Sequence, residues 1–272
     1  MVEPSHRRYL NRGQIGLSSK DMFGVTILGN NSAVPAHDRH PTAQAVTIDG
    51  EVLLLDCGEG TQLQIKEYCV KRSKINYIFI SHLHGDHYFG LIGLLSSMAL
   101  INRTQELHLF APPALKDLID LQLKVSDSTL PYQLIFHPLV EPGILVSEKK
   151  FTVEAFKVEH RIECYGFLIR ESHSPRKINP QKTLEYEVPA SFYDRLQQGE
   201  DYWTKSGNCI KNEWVTLPGK KNKAYAYSAD TLFTTSFLPV IKGVDLLYHE
   251  ATYLDDFEDQ AKSRFHSTAR QA

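Results

Sequence analysis

The sequence predicts an α/β protein with mixed sheets, and three observations carry that expectation. Short β-branched and aromatic runs alternate with longer helix-like stretches along most of the chain. Asp49-Gly50 joins two β-rich runs, the strongest two-residue hairpin signal in the sequence, so some strands pair antiparallel. Of 272 residues 42% are hydrophobic and 23% charged, enough to bury a sizeable core. That balance excludes a disordered chain and a disulfide-stapled miniprotein.

Residues 1–21 read as a polar, disordered leader. His6, Arg7, Arg8 and Arg12 have no apolar run behind them, so this is not a secretory signal. Structure is expected from Met22 or Phe23, with Val25, Ile27 and Leu28 in a strand before Gly29-Asn30-Asn31-Ser32. Gln44–Asp49 and Glu51–Asp56 form the hairpin arms, Gly58-Glu59-Gly60-Thr61 breaks the second, and Gln62–Cys69 can be helical. Tyr77–Ser81 is a short apolar strand, followed by a helix over Tyr88–Ile101 that is apolar on nearly all sides and so buried on two faces. The same region, Phe89–Ile101, is the longest nearly apolar stretch and is too short to span a bilayer, so no membrane partner is expected.

Leu107–Phe110 is the next strand, and Pro112-Pro113 can open a helix over Ala114–Leu123. Phe151–Val158 alternates like a half-buried strand and leads to His160; Tyr165–Ile169 pairs with it or follows it. From about 172 to 222 the composition turns polar and basic, with Arg176, Lys177 and Lys182 among interleaved aromatics. Pro189–Gln198, closed by Gly199, reads as one helix there. Strands resume at Ala224–Ser228 and Val244–Tyr248, and Ser267–Ala272 reads as the first turns of a helix. The organisation is one domain over 22–272 with an insertion at about 172–222.

Charge and cysteines narrow the function. A formal net charge of −2 argues against a general nucleic-acid coat, so nucleic-acid binding would need a local patch or a metal centre. Cys57, Cys69, Cys164 and Cys209 are scattered without C-x-x-C spacing, which fits reduced thiols in a cytoplasmic protein. Histidine placement is more informative. Ser81-His82-Leu83-His84-Gly85-Asp86-His87 packs three histidines and an aspartate directly after a strand and before a helix. Imidazole and carboxylate are the ligands zinc prefers when no thiolate is offered. One cluster cannot complete two four-coordinate sites. His160, Asp230 and His266 also stand at element ends. Taken alone, each has a plainer reading as a surface or core residue, a turn former or a helix cap.

The sequence resembles the metallo-β-lactamase superfamily and, within it, the short-form ribonuclease Z (tRNA 3′-endonuclease) family, from about Phe23 to Ala272. The motifs are Leu28-Gly29…Ser32-Ala33-Val34-Pro35, Asp56-Cys57-Gly58-Glu59-Gly60-Thr61-Gln62 and Ser81–His87 with Phe89-Gly90-Leu91. His160, Tyr227-Ser228-Ala229-Asp230-Thr231, His249-Glu250-Ala251-Thr252 and His266-Ser267-Thr268-Ala269 follow. The H-x-H-x-D-H core marks only the superfamily; the D-C-G-E-G-T-Q, H-E-A-T and H-S-T-A motifs point to ribonuclease Z.

The resemblance implies a four-layer αββα sandwich with two zinc ions per subunit at the sheet edges. One ion would take His82, His84 and His160, and the other Asp86, His87 and His266, with Asp230 bridging. Asp56 would orient a ligand imidazole. It further implies a homodimer that removes 3′ trailers from precursor tRNA, leaving a 3′-hydroxyl on the tRNA and a 5′-phosphate on the trailer. Asp86 would act as base, and His249 would contact the phosphate and protonate the departing ribose oxygen. The 172–222 segment occupies the place of the family's tRNA-binding arm, where Arg176, Lys177 and Lys182 would grip phosphates.

Three departures stand out. Val188-Pro189-Ala190-Ser191-Phe192 stands where a glycine-proline motif is expected, Ala229 where glycine is usual, and Asn30-Asn31 where small residues are usual. The family also continues past His266 through a helix and a strand, so the chain, ending at Ala272, looks C-terminally truncated. Two other readings compete: another dinuclear-zinc hydrolase acting on a small phosphodiester, lactam or thioester, and a non-catalytic RNA-binding relative. The arm and the H-E-A-T motif disfavour the first, and the full set of ligand types disfavours the second.

Overall fold

Short apolar strands in the first half of the chain build a six-stranded sheet whose central strands are buried on both faces. The computed structural model describes residues 22–34, 36, 38–172 and 175–272; the expected leader, 1–21, and Pro35 of the first motif lie outside them. β1 (Phe23–Gly29), β2 (Ala43–Ile48) and β3 (Glu51–Leu55) pair antiparallel in sequence order. The β2–β3 turn is the one expected: Asp49 and Gly50 both have positive φ, 45° and 86°, as the mirror-image hairpin turn requires. β4 (Ile75–Phe79), β5 (Leu107–Ala111) and β6 (Leu134–Pro138) extend the sheet in parallel. Parallel neighbours need crossovers. These are α1 (Thr61–Glu67), α2 (Gly85–Tyr88) with α3 (Leu91–Leu100), and α4 (Ala114–Val125).

β3 shows how the two faces divide. Leu53 and Leu55 join the core between the two sheets, while Val52 and Leu54 join the core beneath α1, α3 and α4. A strand covered on both sides therefore reads as an unbroken apolar run.

The second sheet begins with β7 (Gly143–Ser147), β8 (Phe151–Lys157) and β9 (Tyr165–Glu171), all antiparallel. The chain then leaves the sheet to build the insertion. It contains β10 (Lys177–Ile178), α5 (Pro180–Glu185), α6 (Tyr193–Gln197), β11 (Tyr202–Trp203), β12 (Cys209–Ile210), α7 (Asn212–Val215) and β13 (Thr216–Leu217). β14 (Ala224–Tyr227) returns antiparallel beside β9, α8 (Leu238–Ile241) follows, and β15 (Leu246–Tyr248) adds in parallel. α9 (Glu258–Arg264) lies near the end. The two sheets face each other, with helices on the outer side of the first. A thin layer covers the second, where Phe237 stacks on Phe156 at 5.2 Å beside α8.

The insertion has its own small core of Val188, Leu196 and Val215, with Ile178, Phe192, Tyr202 and Ile210 around it. β10 and β13 pair as its stem. Because β9 and β14 are neighbours, the insertion interrupts a hairpin and leaves the sheet intact.

Three expected elements differ. The helix read over Tyr88–Ile101 is divided at Phe89-Gly90. There the Gly90 N–H donates to the Cys57 carbonyl at 2.9 Å, and a side chain at Gly90 would collide with the Gly58 carbonyl. Pro189–Gln198 is a 3₁₀ turn, Ala190–Phe192, running into α6, because Pro189 itself is extended at ψ 144°. Ser267–Ala272 is a turn and not a new helix. α9 stops at Phe265 in the left-handed region, and the chain beyond bonds back to Tyr253.

Candidate metal centre

Every residue of the site follows the C-terminal end of a strand or helix. Asp56 follows β3, His82–His87 follow β4, His160 follows β8, Asp230 follows β14, Glu250 follows β15 and His266 follows α9. His84, Asp86, Asp230, Glu250 and His266 line a cleft of about 550 Å³, and Asp56, His82 and His87 are buried behind it. Asn30, Asn31, Arg39, Arg161, Thr252, Tyr253 and Arg264 complete its rim. The D-C-G-E-G loop is held against the histidine loop: Cys57 N–H donates to the His87 carbonyl at 2.7 Å, and a side chain at Gly58 would strike the Asp86 carbonyl.

Hydrogen bonds fix the tautomer of four histidines. Ser81 Oγ donates its one proton to Asp56 at 2.9 Å, so it accepts from His82 Nδ1, also at 2.9 Å. His87 Nδ1 donates to Asp56 Oδ2 at 2.7 Å, His160 Nδ1 to the Phe265 carbonyl at 2.9 Å, and His266 Nδ1 to Glu250 Oε1 at 2.8 Å. In the neutral form of each ring the lone pair is therefore left on Nε2. His84 is turned the other way, with Nδ1 3.0 Å from His82 Nε2 and 3.1 Å from His160 Nε2.

Three imidazole nitrogens thus converge, and Asp230 joins them to form one set of donors within 4.8 Å. Asp230 also belongs to a second set with Glu250 and His266. His87 Nε2 lies 3.3 Å from Asp230 Oδ2 and 3.9 Å from Asp86 Oδ2, so the Asp86-His87 pair faces the same carboxylate. Imidazole nitrogens gathered around a shared carboxylate are the donor set a divalent cation needs, once His87 and His266 give up the protons their carboxylate partners favour. The His/Asp cluster can hold metal.

Electrostatics follow from burial and from this crowding. Burial, with His87 beside it, holds His82 well below the ordinary histidine pKa. Burial likewise lowers His84 and His160. Burial alone would depress His87, but Asp230 and Asp56 outweigh it and leave its pKa well above ordinary. Burial would raise Asp230, and His87 more than reverses that. Burial opposes the charged form of His266, yet the Glu250 bond leaves its pKa raised.

His82, His84, Asp86, His87, His160, Asp230 and His266 are thus brought together, with Asp56 behind His87. Asp56 also takes the Ser81 N–H at 2.7 Å and the Tyr227 hydroxyl at 2.6 Å. Ala229 has φ 55°, the left-handed backbone that glycine adopts freely, which explains why glycine is usual there.

The other expected residues are placed differently. His249 does not line the cleft. Tyr248 and Glu250 do, and alternation along an extended segment turns the residue between them away. Its Nδ1 donates to the Glu250 carbonyl at 2.7 Å and its ring lies against Phe237 at 6.2 Å. On the insertion, Arg176 Nε donates to Thr216 Oγ1 at 2.7 Å within the stem. Lys182 pairs with Glu185 at 2.7 Å, and Lys177 is exposed.

Glu250 was not among the expected site residues. Its carboxylate accepts from His266 Nδ1, the backbone N–H groups of Thr231, Thr252 and Ser267, and the Thr252 hydroxyl. With its lone pairs so engaged, it positions His266 as Asp56 positions His87. Its place in the H-E-A-T motif was the available signal. Glu250→Gln sets an amide NH₂ against donors. We expect a loss of about 1–3 kcal/mol in a thermal melt and a drop of about 10–100-fold in metal affinity by competitive titration. Unchanged metal affinity would leave Glu250 holding the loop alone.

Comparison with known proteins places this geometry. Residues 23–178 match the family model described as Anti-Pycsar protein Apyc1. A protein of Bacteroides fragilis named Ribonuclease Z is 39% identical over 93% of this chain and 84% of its own length. The chain belongs to the ribonuclease Z family. A ribonuclease Z of Cytophaga hutchinsonii is 41% identical over 92% of the chain and 80% of its own length. Among solved structures, human tRNase Z, short form, superposes with TM-score 0.68 at 27% identity, covering 91% of this chain and 85% of that one. The metallo-β-lactamase fold protein YhfI of Bacillus subtilis gives 0.59 at 19% identity, covering 91% and 79%. The fold is the metallo-β-lactamase sandwich. The Apyc1 match spans more than half of this ribonuclease Z chain, including His82–His87 and His160, and stops before Asp230, His249 and His266.

Proposed function

We propose that the chain is an endoribonuclease that removes 3′ trailers from precursor tRNA with two zinc ions held in the cleft. The observation that carries this is the donor set: imidazole lone pairs gathered around Asp230, in a chain that aligns with ribonuclease Z over 93% of its length. His82, His84 and His160 would hold one ion and Asp86, His87 and His266 the other, with Asp230 available to both. Bound zinc supplies Lewis acidity that makes water nucleophilic near neutral pH and stabilises charge on the phosphodiester.

The chain's own groups supply the proton transfers. Asp86, at the cleft wall, accepts the proton of the attacking water. His249 gives a proton to the departing ribose 3′-oxygen once its ring turns from Phe237 towards the cleft. The products are a tRNA with a 3′-hydroxyl and a trailer with a 5′-phosphate. End-mapping of products from a precursor tRNA incubated with zinc-loaded protein tests this; an intact precursor, or a 3′-phosphate on the tRNA, would refute it.

The insertion serves as the tRNA-binding arm. Its stem presents Lys177 beside Arg176, and Trp203 and Trp214 are exposed on it. Deleting residues 175–218 rejoins two adjacent strands. We expect strongly weakened precursor cleavage with hydrolysis of bis-p-nitrophenyl phosphate spared. Equal losses on both substrates would take substrate binding away from the arm.

The protein works in the cytoplasm as a homodimer in this reading. Four unpaired cysteines suit a reducing compartment. Phe89, 63% exposed, and Leu121, 56% exposed, offer an apolar face along α2–α4 for self-association. Sedimentation measures the state directly. No helix among the described residues is long and apolar enough to cross a membrane.

A further inference from the structure

Nine arginines fall among the described residues, and they divide by place. Arg72, Arg103, Arg170, Arg176, Arg195 and Arg270 each reach a hydroxyl, amide, carbonyl or carboxylate of the protein. Arg39, Arg161 and Arg264 are the three that line the cleft. Among the described residues none of these three guanidinium groups pairs with a carboxylate. Arg161 has one contact, Nη2 to His84 Nε2 at 3.1 Å, and all three residues are exposed.

Two of them are set by the metal centre itself. Arg161 follows His160 directly, and Arg264 precedes Phe265, whose carbonyl takes the His160 Nδ1 proton at 2.9 Å. The bond that aims His160 therefore also ties the backbone next to Arg161 to the backbone next to Arg264. Arg161 lies against the outer nitrogen of His84, one imidazole ring away from the converging donors. A group bound there sits next to the reacting phosphate and not on it.

The His84 contact is also conditional. An imidazole that gives its Nδ1 lone pair to a cation carries its proton on Nε2. Nε2 then faces Arg161 as donor against donor. A cation held by His84 Nδ1 would therefore leave the Arg161 guanidinium, beside that ring, open to another acceptor.

We propose that Arg161 and Arg264 grip the RNA phosphates that flank the scissile linkage. A guanidinium presents paired N–H donors that match phosphate oxygens, and it stays charged at every relevant pH. These are positioning residues. They hold the strand across the centre and take no part in proton transfer. The proposal rests on the nuclease reading of the same cleft.

The test uses Arg161→Ala and Arg264→Ala in the full zinc-loaded chain. The probe is a precursor tRNA whose scissile linkage is a methylphosphonate, so that binding is read without turnover. Each variant is expected to bind about tenfold more weakly, and the slope of log affinity against log salt should fall by about one. Arg→Lys variants should recover the slope but only part of the affinity. Zinc content and kcat/KM for bis-p-nitrophenyl phosphate, which has no neighbouring phosphate, should be unchanged.

Wild-type affinity and slope in both alanine variants would overturn the proposal. So would an equal loss on the small diester, or loss of zinc, which would make the arginines part of the centre. Failure of the wild-type protein to cleave any precursor tRNA would instead overturn the nuclease reading, a separate outcome.

Discussion

Asp230→Ala should abolish cleavage of precursor tRNA while leaving the fold in place. Asp230 is the one carboxylate shared by both donor sets, and His87 Nε2 and His82 Nε2 approach it to 3.3 and 3.8 Å. Removing it leaves those imidazoles facing each other with no negative charge between them, so neither cation set stays complete. The loss should exceed the roughly hundredfold upper end seen for outer hydrogen-bond partners of metal ligands. The strands beside it do not depend on its side chain. β14 pairs with β9 and β15 through backbone groups, and Ser228 N–H donates to the Tyr248 carbonyl at 3.0 Å. Far-UV circular dichroism should therefore match the wild type while metal analysis shows depletion. A variant still cleaving at about a tenth of the wild-type rate would remove Asp230 from the centre.

His249→Ala should lower the rate on precursor tRNA by about 10²–10⁴-fold, the range for losing a positioned general acid. The effect should depend on the leaving group. A ribose 3′-oxygen needs a proton as it departs, whereas p-nitrophenolate does not. Hydrolysis of bis-p-nitrophenyl phosphate should therefore fall little. The same drop on both substrates would mean that the ring serves only its contacts with Phe237 and the Glu250 carbonyl. Because those contacts hold the ring away from the cleft, Phe237→Ala is the companion variant, freeing the ring without removing it.

Much of the centre was legible because its residues are close in sequence or carried by motifs. His82, His84, Asp86 and His87 fall on one turn after an apolar strand, and the structure keeps them there. The resemblance implied that Asp56 orients a ligand imidazole; the structure sets it behind His87, because β3 and β4 are parallel neighbours whose ends coincide. Glu250 was not legible as a positioning group. The H-E-A-T motif marks its place, but its role depends on five donors from three separate segments, which no linear pattern shows.

His249 and Glu250 stand side by side in one motif, and strand alternation allows only one of them to face the cleft. His249, the expected acid, is the one turned towards Phe237. Among the elements, β6 and β7 went unread because Leu134–Pro138 is only half-buried and ends in histidine and proline. α9 buries a single residue, Ala261, and so shows no apolar periodicity.

The four Nδ1 anchors described above have a consequence for how the centre is assembled. A free imidazole offers either nitrogen, and a cation arriving at unanchored side chains would have to select one tautomer and one rotamer from each. Here Ser81, Asp56, the Phe265 carbonyl and Glu250 make those selections while the chain folds. The ordering entropy is therefore charged to the folding of two large hydrophobic cores and not to the ion. Metal capture becomes the closing of a preshaped vessel, in which four of the rings are already aimed.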